Sequence, residues 1–88
     1  QAAPTLKRIV MELGGKSALI VRADADIEQA AAMGMSGITT HSGQGCALLT
    51  RHLVHHSVKA QYLDAMRAML GRVKVGNPLH EGTTMGPL

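Results

Sequence analysis

The sequence predicts an α/β fold, a strand-helix-strand-helix portion of a parallel sheet, and three observations carry that expectation. Residues 17–22 hold the continuous apolar run Ala18-Leu19-Ile20-Val21, of the kind buried strands show. Downstream, Ile27, Ala30, Ala31, Gly34 and Ile38 recur at helical spacing. Beyond a second short strand pattern, Tyr62, Met66, Met69 and Leu70 fall on one face of residues 58–70, with Lys59, Gln61, Asp64 and Arg67 elsewhere. Strand, helix, strand, helix implies a right-handed parallel crossover.

Each element has its local reason. Residues 6–13, containing Ile9, Val10 and Met11, read as a first strand that ends at a Gly14-Gly15 turn. Residues 17–22 form the next strand. Asp24 is the expected N-cap of the helix that follows, and Asp26 and Glu28 favour its N-terminus through the macrodipole. That helix reaches about Thr40, and its small-residue face suits close packing. A loop over 42–45 then delivers Cys46 to the start of a short helical or irregular stretch. Residues 51–57 read as a strand built on Leu53 and Val54, with Ser57 capping the amphipathic helix 58–70, whose methionines fill core gaps. From Gly71 the Gly, Pro and Thr content removes periodicity, so 71–88 is expected to be a loop or extended tail of the same domain.

At 88 residues the chain holds at most one small domain. It begins at Gln1 without an initiator methionine and ends at Leu88 after Gly86-Pro87, so truncation on both sides is expected. Hydrophobic residues make up 45%, yet Phe and Trp are absent and Tyr62 is the sole aromatic, which leaves little large side-chain material for a core. Marginal independent stability follows.

The nine Lys and Arg against six Asp and Glu are scattered without a run of like charge, which reads as a solvated surface. Neither a basic stripe nor aromatic stacking platforms support a nucleic-acid partner. A single cysteine makes no internal disulfide, no signal-peptide pattern is present, and no apolar run reaches the about 18 residues of a membrane span. A reducing cytoplasm is the expected location. His52, His55 and His56 invite a metal reading, but strand alternation would point His55 and His56 apart, and no Cys or carboxylate completes a ligand set. No metal is expected.

Chemistry concentrates at Cys46 and Glu12. Cys46, the only cysteine, lies in His41-Ser42-Gly43-Gln44-Gly45-Cys46-Ala47, where Gly43 and Gly45 leave room for a ligand to approach the thiol. Glu12, in Met11-Glu12-Leu13-Gly14-Gly15-Lys16-Ser17, supplies a carboxylate able to take a proton from water. No G-x-G-x-x-G opens a helix after a strand, and no complete P-loop pattern occurs, so the chain carries no phosphate-binding fingerprint of its own.

Both segments resemble the active-site motifs of the aldehyde dehydrogenase superfamily, in which a glutamate stands in an E-L-G-G-K-S/T-type run and the nucleophilic cysteine follows a G-Q dipeptide some three dozen residues later. Here 34 positions separate Glu12 from Cys46. Lys74-Val75-Gly76-Asn77-Pro78, then Thr83 or Thr84 and Gly86-Pro87-Leu88, resembles a third segment of the family, in the right order. The resemblance covers essentially the whole chain but a small part of the family's usual length. It implies that 1–88 is part of the catalytic domain of an NAD- or NADP-dependent enzyme acting on a small-molecule aldehyde, with the parent a homo-oligomer, dimeric or tetrameric.

Residue by residue, the resemblance implies that Cys46 is the nucleophile and Glu12 the base that activates water. It also implies that Leu13, Gly14 and Gly15 pass close to the nicotinamide of a cofactor held mainly by residues outside this chain. Family members that pass the acyl group to coenzyme A usually lack the glutamate, so Glu12 favours hydrolysis. His41 stands where the family commonly has asparagine, and Thr39-Thr40-His41 departs from the aromatic residues often found there, which bears on the substrate pocket. The alternatives are a catalytically idle folding or interaction unit that retains the motifs, and cofactor-free ester hydrolysis at Cys46.

Overall fold

A computed structural model describes residues 2–88. Its organising unit is a βαβα arrangement: β1 (Ser17–Val21), α1 (Ile27–Thr39), β2 (Leu49–Val54) and α2 (Lys59–Leu70). The strands pair in parallel, Ala18 opposite Arg51 through Val21 opposite Val54, as the strand-helix-strand order requires. Short 3-10 turns cover Ala3–Thr5, Thr40–Gly43 and His56–Val58. Residues 71–88 hold only an isolated bridge between Val75 and Met85, reinforced where the Lys74 carbonyl accepts from the Thr84 and Met85 amides.

Val21, Ile27, Ala31, Tyr62 and Ala65 form the core, so the two helices and β1 meet around one tyrosine. Burying a branched aliphatic such as Val21 or Ile27 contributes about 1.5–3 kcal/mol. Alanine contributes far less. The radius of gyration, 17.5 Å, exceeds the roughly 12 Å of a compact domain this long. The molecule is a slab, 55 × 38 × 14 Å. Ile20, Leu53 and Leu63 stay exposed beside a groove of about 690 Å³ between β1, β2 and α2. No helix among the described residues is long and apolar enough to cross a membrane.

Several local expectations need correction. Residues 6–13 are not a strand: the segment finds no ladder partner among the described residues, and Val10 is fully exposed. Asp24 does not cap α1. A turn closed by the Ala25 amide on the Arg22 carbonyl holds Asp24 against the Arg22 guanidinium at 3.1 Å, and Asp26 accepts from the Gln29 amide at 3.0 Å instead. Such a cap contributes about 1 kcal/mol.

β2 begins two residues before position 51 and stops at Val54, so strand alternation no longer governs His55 and His56. Their rings lie together, centroids 4.3 Å apart. Ser57 does not cap α2 either, because its amide donates to His55 Nδ1 and its hydroxyl sits 2.8 Å from the same nitrogen. On α2, Leu70 is exposed and Ala65 takes the buried position, since the helix presents Tyr62 and Ala65 inward.

Burial raises the Tyr62 phenol above its ordinary value of 10.0. The neutral form is therefore favoured in the folded chain, and the stability this confers is present below pH 10.0 and lost as pH climbs through the higher folded value. Alkaline titration followed by tyrosinate absorbance, with Tyr62 the only tyrosine, is expected to show ionisation above the free-phenol range together with loss of helical circular dichroism. Tyr62→Phe should remove that alkaline limb.

Candidate active site

The Cys46 segment is built by the end of α1. Thr39 and Thr40 hydroxyls donate back to the Met35 and Ser36 carbonyls at 2.9 and 2.7 Å, closing the helix. The backbone then turns left-handed at three successive residues, His41 (φ 51°), Ser42 (φ 55°) and Gly43 (φ 77°). Only glycine adopts this region freely, so His41 and Ser42 each carry about 1–2 kcal/mol of strain. Strain of that kind clusters at functional sites and persists where surrounding contacts hold it. Two bonds hold it here: the Gln44 amide donates to the His41 carbonyl at 3.1 Å, and Ser42 Oγ donates to the Gly86 carbonyl at 3.3 Å. The third sequence motif thus lies against the loop that precedes the cysteine.

Cys46 and Ala47 occupy the centre of a tight turn, with the Leu48 amide reaching the Gly45 carbonyl at 3.4 Å. The thiol is exposed. Gly43 is required by its positive φ, but Gly45 serves packing rather than ligand access, because a Cβ there would lie 2.9 Å from Leu48 Cγ. That contact modifies the expectation that both glycines open space beside the thiol.

Glu12 sits in an extended, exposed segment. Its Oε1 accepts from the Gly14 amide at 3.2 Å, which folds the carboxylate over the Leu13-Gly14 turn. Gly14 has φ 77°, and neither Gly14 nor Gly15 has any atom within 4 Å of a notional Cβ, so this stretch of backbone is bare. Leu13 is 86% exposed. No hydrogen bond joins Glu12 to Cys46 among the described residues, and neither lines the groove between β1, β2 and α2. The same residues contain no cluster of three His, Cys, Asp or Glu able to hold a metal ion.

The sequence did not reveal a pair of half-buried polar contacts on the neighbouring strand. His52 Nδ1 lies 2.8 Å from the Tyr62 hydroxyl, and His52 Nε2 lies 2.8 Å from the Leu49 carbonyl. Gly34 makes room for it, since a Cβ there would overlap Tyr62 Oη and approach His52 Cε1 to 2.9 Å. The available signal was Tyr62 itself: a lone core tyrosine needs a partner for its hydroxyl.

The family profile described as "Aldehyde dehydrogenase family" matches residues 1–88. A vanillin dehydrogenase of an Amycolatopsis species is 46% identical over 83 residues, 94% of this chain and 17% of that protein. A betaine aldehyde dehydrogenase of Brucella ovis is 41% identical over 88 residues, all of this chain and 18% of that protein. Among solved structures, the NAD+ complex of an aldehyde dehydrogenase from Bacillus cereus superposes with a TM-score of 0.91 at 38% identity, covering 99% of this chain and 18% of that one. The chain therefore spans under a fifth of the length of these relatives. With the family profile matched over residues 1–88 and the βαβα unit superposing on a solved aldehyde dehydrogenase, the chain belongs to the aldehyde dehydrogenase family.

Proposed function

We propose that this chain contributes the nucleophile and the hydrolytic base to the NAD- or NADP-dependent oxidation of an aldehyde to a carboxylic acid, as part of a longer polypeptide. The observation that carries the reading is the presentation of an exposed thiol at the centre of a tight turn, behind three left-handed residues, in a family member. Cys46 Sγ, as thiolate, forms a bond to the aldehyde carbon, and the carbonyl oxygen becomes an oxyanion. The Cys46 backbone N–H, with a donor outside this chain, holds that oxyanion. A nicotinamide held against Leu13, Gly14 and Gly15 would supply the hydride acceptor, and loss of hydride from the hemithioacetal carbon leaves a thioester on Cys46. The Glu12 carboxylate then takes a proton from water as the water oxygen attacks the thioester carbon. The acid leaves and the thiolate returns.

The bare Gly14-Gly15 backbone fits a flat ring laid against it, with Leu13 beside it, so these residues would hold the nicotinamide end of the cofactor. The dinucleotide phosphates call for backbone donors at a helix N-terminus and a group for the ribose, and the sequence carries neither a G-x-G-x-x-G nor a complete P-loop pattern to provide them. The open groove and exposed Ile20, Leu53 and Leu63 support burial of this unit within a larger catalytic domain. We assign the enzyme to a reducing cytoplasm and to a dimeric or tetrameric assembly, with no nucleic acid or membrane partner.

The test is capture of the acyl group. Full-length protein mixed with an aldehyde and NAD, then acid-quenched within a turnover, is expected to yield an acylated Cys46 peptide by mass spectrometry. Reduced cofactor formed with no adduct on Cys46 would overturn the assignment.

A second reading, an idle unit, is favoured for the 88 residues alone, because among the described residues no hydrogen bond joins Cys46 to Glu12 and neither lines the groove between β1, β2 and α2. Calorimetric titration of isolated 1–88 with NAD and NADP is expected to give no saturable binding. Micromolar affinity for either would mean that the chain holds phosphate-binding groups which its sequence motifs do not reveal.

A further inference from the structure

We infer that His52 is a positioning residue for the Cys46 turn, its imidazole held between the Tyr62 hydroxyl and the Leu49 carbonyl so that β2 can begin only where it does. The functional consequence rests on Cys46 being the nucleophile; the geometry does not. Ser17 pairs with Leu49, but Ala18 pairs with Arg51, so Thr50 is an extra residue bulged out of the ladder. A bulge resets the alternation of faces. Leu49, His52 and Val54 consequently all turn inward and are half-buried, whereas Thr50, Arg51 and Leu53 are exposed. In an unbulged strand of the same sequence Leu49 and His52, three residues apart, would face opposite sides.

Loss of the bulge would flip the strand's start relative to His52, and with it the turn bearing Cys46. The bond from His52 to Leu49 spans the bulge and marks its place. A carbonyl only accepts, so Nε2 carries the proton, and Nδ1 is then the acceptor for the Tyr62 O–H. Each atom in the series has one role. The Tyr62 hydroxyl has no other partner among the described residues, and Tyr62 is 2% exposed, so breaking the series strands a buried donor.

α1 clamps both ends. Gly34 admits Tyr62 Oη and His52 Cε1, and Gly37, one helical turn on, admits the Leu49 side chain, which would lie 2.9 Å from a Cβ there. Leu49 directly follows the Gly45–Leu48 turn, and the Thr50 amide donates to the Leu48 carbonyl at 2.9 Å. A shift of Leu49 therefore moves the Cys46 turn with it.

The experiment compares His52→Leu, which keeps apolar volume but has no donor, with His52→Gln, whose amide can donate to Leu49 and accept from Tyr62. In the full-length protein, hydrogen exchange of the peptide spanning 45–51 and steady-state kinetics are measured together. His52→Leu is expected to speed exchange there about tenfold. Misplacing the nucleophile should lower kcat about ten- to a hundredfold, with KM little changed. His52→Gln should restore both. Tyr62→Phe, which removes one oxygen, should speed exchange less than His52→Leu and serves if that variant folds poorly.

Unchanged exchange at 45–51 in both His52→Leu and Tyr62→Phe would overturn the inference, as would a His52→Leu variant that outperforms His52→Gln. Faster exchange with undisturbed kcat would support the positioning of the turn and count instead against Cys46 as the nucleophile.

Discussion

Cys46→Ser in the full-length protein is expected to abolish aldehyde oxidation, with kcat falling by about 10⁴-fold or more, the scale on which loss of a covalent nucleophile is felt. The substitution changes one atom at the centre of the Gly45–Leu48 turn, so the turn itself should persist. A serine hydroxyl needs an adjacent general base to act as a nucleophile, and no hydrogen-bond partner for the Cys46 side chain exists among the described residues. The oxygen would therefore remain inert. Cofactor affinity should survive, because the bare Gly14-Gly15 turn belongs to a separate segment with no hydrogen bond to Cys46. Stopped-flow production of reduced cofactor gives the rate, and calorimetric titration of the same variant with NAD gives the affinity. Near-normal turnover would remove Cys46 from the mechanism, and loss of both quantities would point to a collapsed site rather than a missing nucleophile.

The parts of the fold legible in the sequence are those marked by a continuous apolar run between turn residues or by a sustained helical period. The run Ala18-Leu19-Ile20-Val21 is β1 to within a residue, and the helical face containing Ile27, Ala31 and Gly34 is the buried face of α1. The failure at residues 6–13 has the opposite cause. Ile9, Val10, Met11 and Leu13 mark a segment that benefits from burial, but a strand exists only by pairing, and apolar content does not say with what. The displaced N-cap is a competition between two aspartates, decided by Arg22, which engages Asp24 and leaves Asp26 to the helix.

At the site, the turn at Gly14 was readable because a positive φ is a local demand that glycine meets. The role of Gly45 was not, because Leu48 occupies the space its side chain would fill. Nor was His52 readable: its partner is ten residues away on another element, and the bulge that turns it inward leaves no mark in the alternation of residues 49–54.

Glu12→Gln should separate the two half-reactions. Glutamine keeps an oxygen able to accept from the Gly14 amide, so the turn that holds the side chain at 3.2 Å is preserved and only the basicity of the carboxylate is removed. In the proposed mechanism the general base acts in thioester hydrolysis, and its loss is expected to slow that step by about 10²–10⁴-fold. Thioester formation needs the Cys46 thiolate and the oxyanion donors, none of which Glu12 contacts among the described residues. Rapid mixing with aldehyde and NAD should therefore give a burst of reduced cofactor equal to the enzyme present, then a slow steady state with acyl group accumulated on Cys46. If no acyl-enzyme forms, Glu12 acts earlier, on the thiol. If the steady state matches the unsubstituted enzyme, the carboxylate does no more than close the Leu13-Gly14 turn, and the water is activated by another group.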